Sequence, residues 1–146
     1  MGGRALRIVR DKTGIAAVEF AMVLPILCLV CLGIADGWSY MTSYLQMRAG
    51  VKTAANLVMA GANNDAGTQA VALSSWNNKP GDAAVVLIRS YLCNTTVVTS
   101  TTICGGTKLP TVFVQISATG TWVPPFSFGV FPDPRAIAHQ EVIRVR

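Results

Sequence analysis

Residues 15–35 read IAAVEFAMVLPILCLVCLGIA, an apolar run of 21 residues interrupted only by Glu19. As an α-helix, at about 1.5 Å per residue, this run is roughly 32 Å long, close to the ~30 Å hydrocarbon core of a bilayer. It predicts a membrane-spanning helix, and the rest of the chain is organised around it. The 146 residues suffice for one modest domain. With 51% hydrophobic and 13% charged residues, the chain is too apolar for an ordinary soluble domain, where about a quarter of residues are charged.

The net charge of +5 first suggests a nucleic-acid partner, but its distribution argues otherwise. Arg4, Arg7, Arg10 and Lys12 all precede the apolar run and only Asp11 opposes them, which leaves +3 ahead of the span. Basic residues just before a span predict a cytoplasmic N-terminus, with the C-terminal bulk on the far side. The remainder is close to neutral and has no basic stripe with interleaved aromatics, so no nucleic acid is expected as a partner.

Beyond the span, Met41, Tyr44, Leu45, Val51, Ala55, Val58 and Met59 follow a helical period, which extends the helix to about Ala60. Gly61 and Asn63-Asn64-Asp65 end it. Pro25, Gly33, Gly37 and Gly50 are its candidate bend points. A short second helix is expected over Ala66–Ser75, then a loop over Asn77–Gly81. Asp82 suits the N-cap of a third helix over Ala83–Leu92, with a strand through the β-branched run Val85–Ile88 as the alternative. Thr and Val dominate from Thr95 to Thr102, and Gly105-Gly106 marks a turn. Val112, Val114, Ile116 and Ala118 alternate with more polar residues as a strand does, and Pro124-Pro125 stops it. Ile137–Val145 reads as a last strand. The expected fold is α+β: a long N-terminal membrane helix extending into a small domain of short helices and an antiparallel β-sheet. Its parts are a basic leader (1–14), the span (15–37) and the far-side domain (38–146).

The cysteines form two pairs. Cys28 and Cys31 lie inside the apolar run with no basic neighbour to activate a thiol, and read as small packing residues. Cys93 and Cys104 enclose ten residues on the far side. A disulfide there suits an oxidising compartment such as a periplasm and would stabilise by about 3 kcal/mol; two free thiols are the alternative. His139 is the only histidine, with no nucleophile or second ligand at a recognised spacing, so it reads as a strand residue. Gly105-Gly106-Thr107-Lys108 lacks the spacing of a phosphate loop. No catalytic residues, metal ligands or cofactor are predicted; an enzyme would need a pocket joining Asp133, His139 and Glu141. The aromatic segment Phe126–Phe131 either covers the sheet or offers a contact to another subunit.

Gly14 and Glu19 carry the functional signal. A secretory signal is cut after its apolar region, whereas here the glycine stands before it. A cut between Gly14 and Ile15 would remove the basic leader and leave the helix on the product. It would also create an α-ammonium at Ile15, about one helical turn from Glu19. An acidic side chain in a membrane helix costs about 2.5–3.5 kcal/mol at the centre, less near an interface. Pairing with that ammonium, or with the same group on a neighbouring subunit, would offset the desolvation of both.

The stretch Gly14–Pro25, GIAAVEFAMVLP, resembles the N-terminal signature of the TadE-like family, minor pseudopilins of the tight-adherence (Tad, or Flp-type) pilus within the type IV pilin superfamily. The matching features are the glycine, the Glu-Phe pair five and six residues later, and the proline within the helix. A Cys pair followed by two strands ending in Glu141-Val142-Ile143-Arg144-Val145 is similar to family C-termini. The resemblance implies a bacterial inner-membrane protein with a periplasmic, pseudopilin-like domain, in some states incorporated into an extracellular pilus. Gly14 would be read by a prepilin peptidase, Ile15 would become the mature N-terminus, Glu19 would be the assembly glutamate and Phe20 would pack beside it. The implied partners are other pilin and minor pilin subunits, the inner-membrane platform with its ATPase, a secretin, and membrane lipid; the implied roles are adhesion and biofilm formation. The rival reading is an unprocessed single-pass membrane protein whose far-side domain binds a partner or polysaccharide.

Overall fold

The computed structural model describes residues 13–126 and 133–145. The leader up to residue 12 and most of the aromatic segment (127–132) lie outside the described residues. Helix α1 (Thr13–Met59) runs unbroken for 47 residues through Pro25, and α2 spans Asp65–Ser75. Four strands follow: β1 (Ala84–Cys93), β2 (Thr96–Val98), β3 (Thr111–Trp122) and β4 (Arg135–Arg144). They form one antiparallel sheet in the order β2-β1-β3-β4.

α1 ends where the sequence places its stop. Gly61 has φ +98°, and its N–H donates to the Val58 carbonyl while Ala62 N–H donates to that of Leu57, both at 3.0 Å. This is a Schellman cap, which needs a residue that tolerates the left-handed conformation. α2 then starts on Asn64, whose side chain accepts from Gly67 N–H at 2.9 Å.

The expected third helix over Ala83–Leu92 is a strand. Val85 and Leu87 turn inward while Val86 and Ile88 face out, a period of two that a helix does not produce. Pairing with β3 over nine positions from Ala84↔Thr119 to Leu92↔Thr111 decides the conformation. Asp82 is accordingly no helix cap; its Oδ1 accepts from Thr121 N–H at 3.0 Å. A two-residue turn at Asn94-Thr95, with Asn94 at φ +57°, returns the chain into β2. Among the described residues the domain therefore has one short helix, α2, where two were expected.

The core lies between the outer half of α1 and one face of the sheet. Met47, Val51, Ala54, Ala55 and Val58 of α1 are buried against Val112, Val114, Ile116, Ala118 and Trp122 of β3 and Ile137 of β4. The alternation expected along β3 is complete, with every second residue buried from Val112 to Trp122. α2 packs in the angle between α1 and β1. A Cβ on Gly50 would come within 2.8 Å of the Ala72 carbonyl oxygen, so glycine permits the close crossing of the two helices. Arg89 of β1 fixes the other end of α2: its Nε donates to Asp65 Oδ1 at 2.8 Å and its Nη2 to the Ala62 carbonyl at 2.9 Å. The ion pair raises the Arg89 pKa above its ordinary value, chiefly through the hydrogen bond to Asp65.

Cys93 and Cys104 are disulfide-bonded, with their Cα atoms 5.5 Å apart, within the usual range for such bonds. The bond pins the end of β1 to a small turn in which Cys104 N–H donates to the Lys108 carbonyl at 2.7 Å. Gly105 and Gly106 both have positive φ there, so this glycine pair is a turn.

Candidate functional site: an uncovered apolar helix and its base

Among the described residues, nothing covers α1 from Gly14 to Cys31. From Gly14 to Cys31 every residue is exposed, and the first buried residue of the helix is Asp36. Ile15, Phe20, Met22, Ile26 and Ile34 are each between 58% and 73% exposed. Fully burying one such side chain is worth about 1.5–3 kcal/mol, so this segment in water would cost on the order of ten kcal/mol or more. It is the one helix among the described residues long and apolar enough to cross a membrane, which fits a single-pass membrane protein.

Glu19 is exposed on this helix and lies four residues from Ile15, on the same face. Phe20, at 60% exposure, projects beside it. An added Cβ on Gly14 meets nothing within 4 Å among the described residues, so packing there gives no reason for a glycine. Pro25 sits inside the continuous helix. Cys28 and Cys31 are free and exposed on it.

Residues 14–56 match the family model of TadE-like protein. The matched stretch covers the whole apolar segment and most of the helix that packs on the sheet. The likeness is confined to this helix and does not reach the sheet. No curated protein matches the chain, and no solved structure does.

The base of the TadE-like helix carries a group the sequence did not single out. Asp36 is 1% exposed and its Oδ1 accepts from Phe126 N–H at 3.0 Å. Its Oδ2 is buried with no hydrogen-bond partner among the described residues. Nearby, Trp122 Nε1 donates to Ser39 Oγ at 3.3 Å, and the Tyr40 and Trp122 rings meet edge to face at 5.2 Å. These contacts fasten the point where the apolar segment ends to the far end of β3. The available signal was positional: Asp36, Tyr40, Tyr44, Met47 and Val51 recur at helical spacing on the sheet-facing side.

His139 lies on the inner side of β4, its ring 6.2 Å from that of Tyr44 and edge-on to it. Glu141 is half-buried two residues further along the same strand, while Asp133 is exposed ahead of it. Among the described residues no three His, Cys, Asp or Glu side chains are grouped to hold a metal ion.

Proposed function

We propose that this chain is a minor pilin-like subunit of a Tad pilus, inserted with its N-terminus in the cytoplasm and its domain in the periplasm, and cut by a prepilin peptidase between Gly14 and Ile15. The observation that carries the reading is the uncovered apolar half of α1, with one carboxylate, Glu19, a turn from the Gly14–Ile15 bond. The helix serves twice: lipid covers it before assembly, and neighbouring helices cover it afterwards. Its apolar side continues past the span. Met41 and Leu45 are 55% and 57% exposed, and at about 1.5 Å per residue Leu45 stands roughly 15 Å beyond Ala35. That is outside the hydrocarbon and headgroup layers together, which reach only about 5–8 Å past the core on each side. Another protein surface is the natural cover there.

Cleavage supplies the charge that Glu19 needs. The new ammonium at Ile15 and the carboxylate lie about 6 Å apart along the axis, either within one chain or offset between neighbours, and each lowers the cost of holding the other in an apolar bundle. Phe20 then packs beside the pair. Work of this kind requires no catalytic residue and no cofactor.

Gly14 is open to direct test because the fold does not require it. Gly14→Leu is expected to leave the domain folded and the chain inserted, but to retain the leader. In cells that carry the peptidase, the variant then runs about 1.5 kDa heavier than the parent, at roughly 110 Da per residue for the 14 residues retained. Equal sizes for parent and variant would remove the processing step from the account.

A further inference from the structure

A cleft of about 640 Å³ opens beside α1 just past the apolar segment. Its walls come from Trp38 and Gln46 of α1, from the turn that carries Asn78 and Asp82, and from Thr121 near the end of β3. None of these residues takes part in the assembly role above. Trp38 is 76% exposed, so much of its ring is free to receive a ligand. Gln46 Oε1 is shut away from solvent with no hydrogen-bond partner among the described residues.

The cleft has a definite electrostatic character. Among the described residues, no Lys, Arg or His lines it. Hydrogen bonds from the Thr121 hydroxyl, and secondarily from its N–H, hold Asp82 below the ordinary carboxylate range. Asp82 is therefore an ionised acceptor at neutral pH, its Oδ1 taking the Thr121 N–H at 3.0 Å. An anionic ligand would meet a like charge and no countercharge. A hydroxyl both donates and accepts, so it satisfies either end of the Gln46 and Asn78 amides as well as the carboxylate.

We propose that this cleft binds a neutral sugar ring, its C–H face against Trp38 and its hydroxyls on Gln46, Asn78 and Asp82. A saccharide unit has the two surfaces the cleft presents, an apolar face for an aromatic ring and a rim of hydroxyls for amides and a carboxylate. The volume lies in the ordinary range for small-ligand sites, about 300–1,000 Å³. A quaternary ammonium would use Trp38 and Asp82 but would leave both amides without a partner.

The test uses the full chain in nanodiscs of phospholipid, free of glycolipid and alkyl-glycoside detergent. Neutral oligosaccharides of glucose, galactose, mannose and N-acetylglucosamine are titrated separately, followed by tryptophan fluorescence and calorimetry, with choline as a separate titrant. Saturable binding of at least one sugar is expected, weakened about tenfold or more in Trp38→Ala and in Gln46→Ala (1.4 kcal/mol per tenfold). Trp38→Ala removes an exposed side chain and leaves the fold intact; a melting temperature equal to the parent's confirms this. Should Gln46→Ala not fold, Trp38→Ala alone decides. Absence of saturation with all four sugars overturns the proposal. So does sugar binding unchanged in Trp38→Ala, or saturation by choline in place of the sugars.

Discussion

Glu19→Ala is expected to leave the chain in the membrane at its normal level and to cut its recovery in sheared surface pili by about a hundredfold. Removing one partner of a buried ion pair costs about 3–5 kcal/mol, because the other charge is left uncompensated; at 1.4 kcal/mol per tenfold, that is two orders of magnitude or more in an assembly equilibrium. The variant inserts at least as well as the parent, since the one acid within the 15–35 run is gone. The cost therefore appears only on assembly, where the Ile15 ammonium needs a partner in the absence of lipid headgroups. Quantitative immunoblotting of membrane and surface fractions separates the two steps. Equal recovery of parent and Glu19→Ala in the surface fraction would show that the carboxylate has no role in assembly.

Trp76→Ala is expected to destabilise the domain by about 3–5 kcal/mol. Trp76 heads the largest fully buried side chains and is 1% exposed. It closes α2 and stands between two glycines. A Cβ on Gly50 would lie 3.5 Å from the Trp76 Cβ, and one on Gly120 would lie 3.1 Å from its Cη2. α1, α2 and β3 therefore all lose a neighbour when the ring is removed, and main chain on three elements cannot collapse fully into the space. Trp76→Phe keeps most of the volume and, because the indole Nε1 is buried without a partner among the described residues, forfeits no hydrogen bond to them; its expected cost is under about 1.5 kcal/mol. Denaturant unfolding of the detergent-solubilised chain, followed by far-UV circular dichroism, measures both. A loss below 1 kcal/mol for Trp76→Ala would mean that the three elements do not share one core.

Local signals were legible where the physics is local. The apolar run, the cap at Gly61 and the alternation from Val112 to Ala118 each depend on neighbours in sequence, and α1, its end and β3 lie where those signals place them. Residues 83–92 failed because their composition suits a helix and a strand about equally, and pairing with a strand about 27 residues downstream decided between them. Asp36 carried only a positional signal, its helical spacing with Tyr40 and Tyr44. Its hydrogen-bond partner Phe126 is 90 residues away, and nothing beside it in the chain announces that contact. The Arg89–Asp65 pair, separated by 24 residues, is a third case.

The site divides in the same way. Gly14, Ile15, Glu19 and Phe20 form a contiguous motif, so their arrangement on one exposed helix end follows from helix geometry alone. The cleft beside Trp38 draws on three separate segments of the chain, and only the folded domain brings them together. Gly14 gains weight from the structure in a different way. An added Cβ there would touch nothing among the described residues, so packing gives no reason for a glycine, which is what the proposed peptidase cut would call for.

The central claim, that a cut at Gly14 makes the ammonium with which Glu19 pairs, is tested most directly by the intact mass and N-terminal sequence of the protein purified from the membranes of cells carrying its peptidase. The account predicts a chain that begins Ile15-Ala16-Ala17-Val18-Glu19. A chain that still begins at Met1 would contradict it.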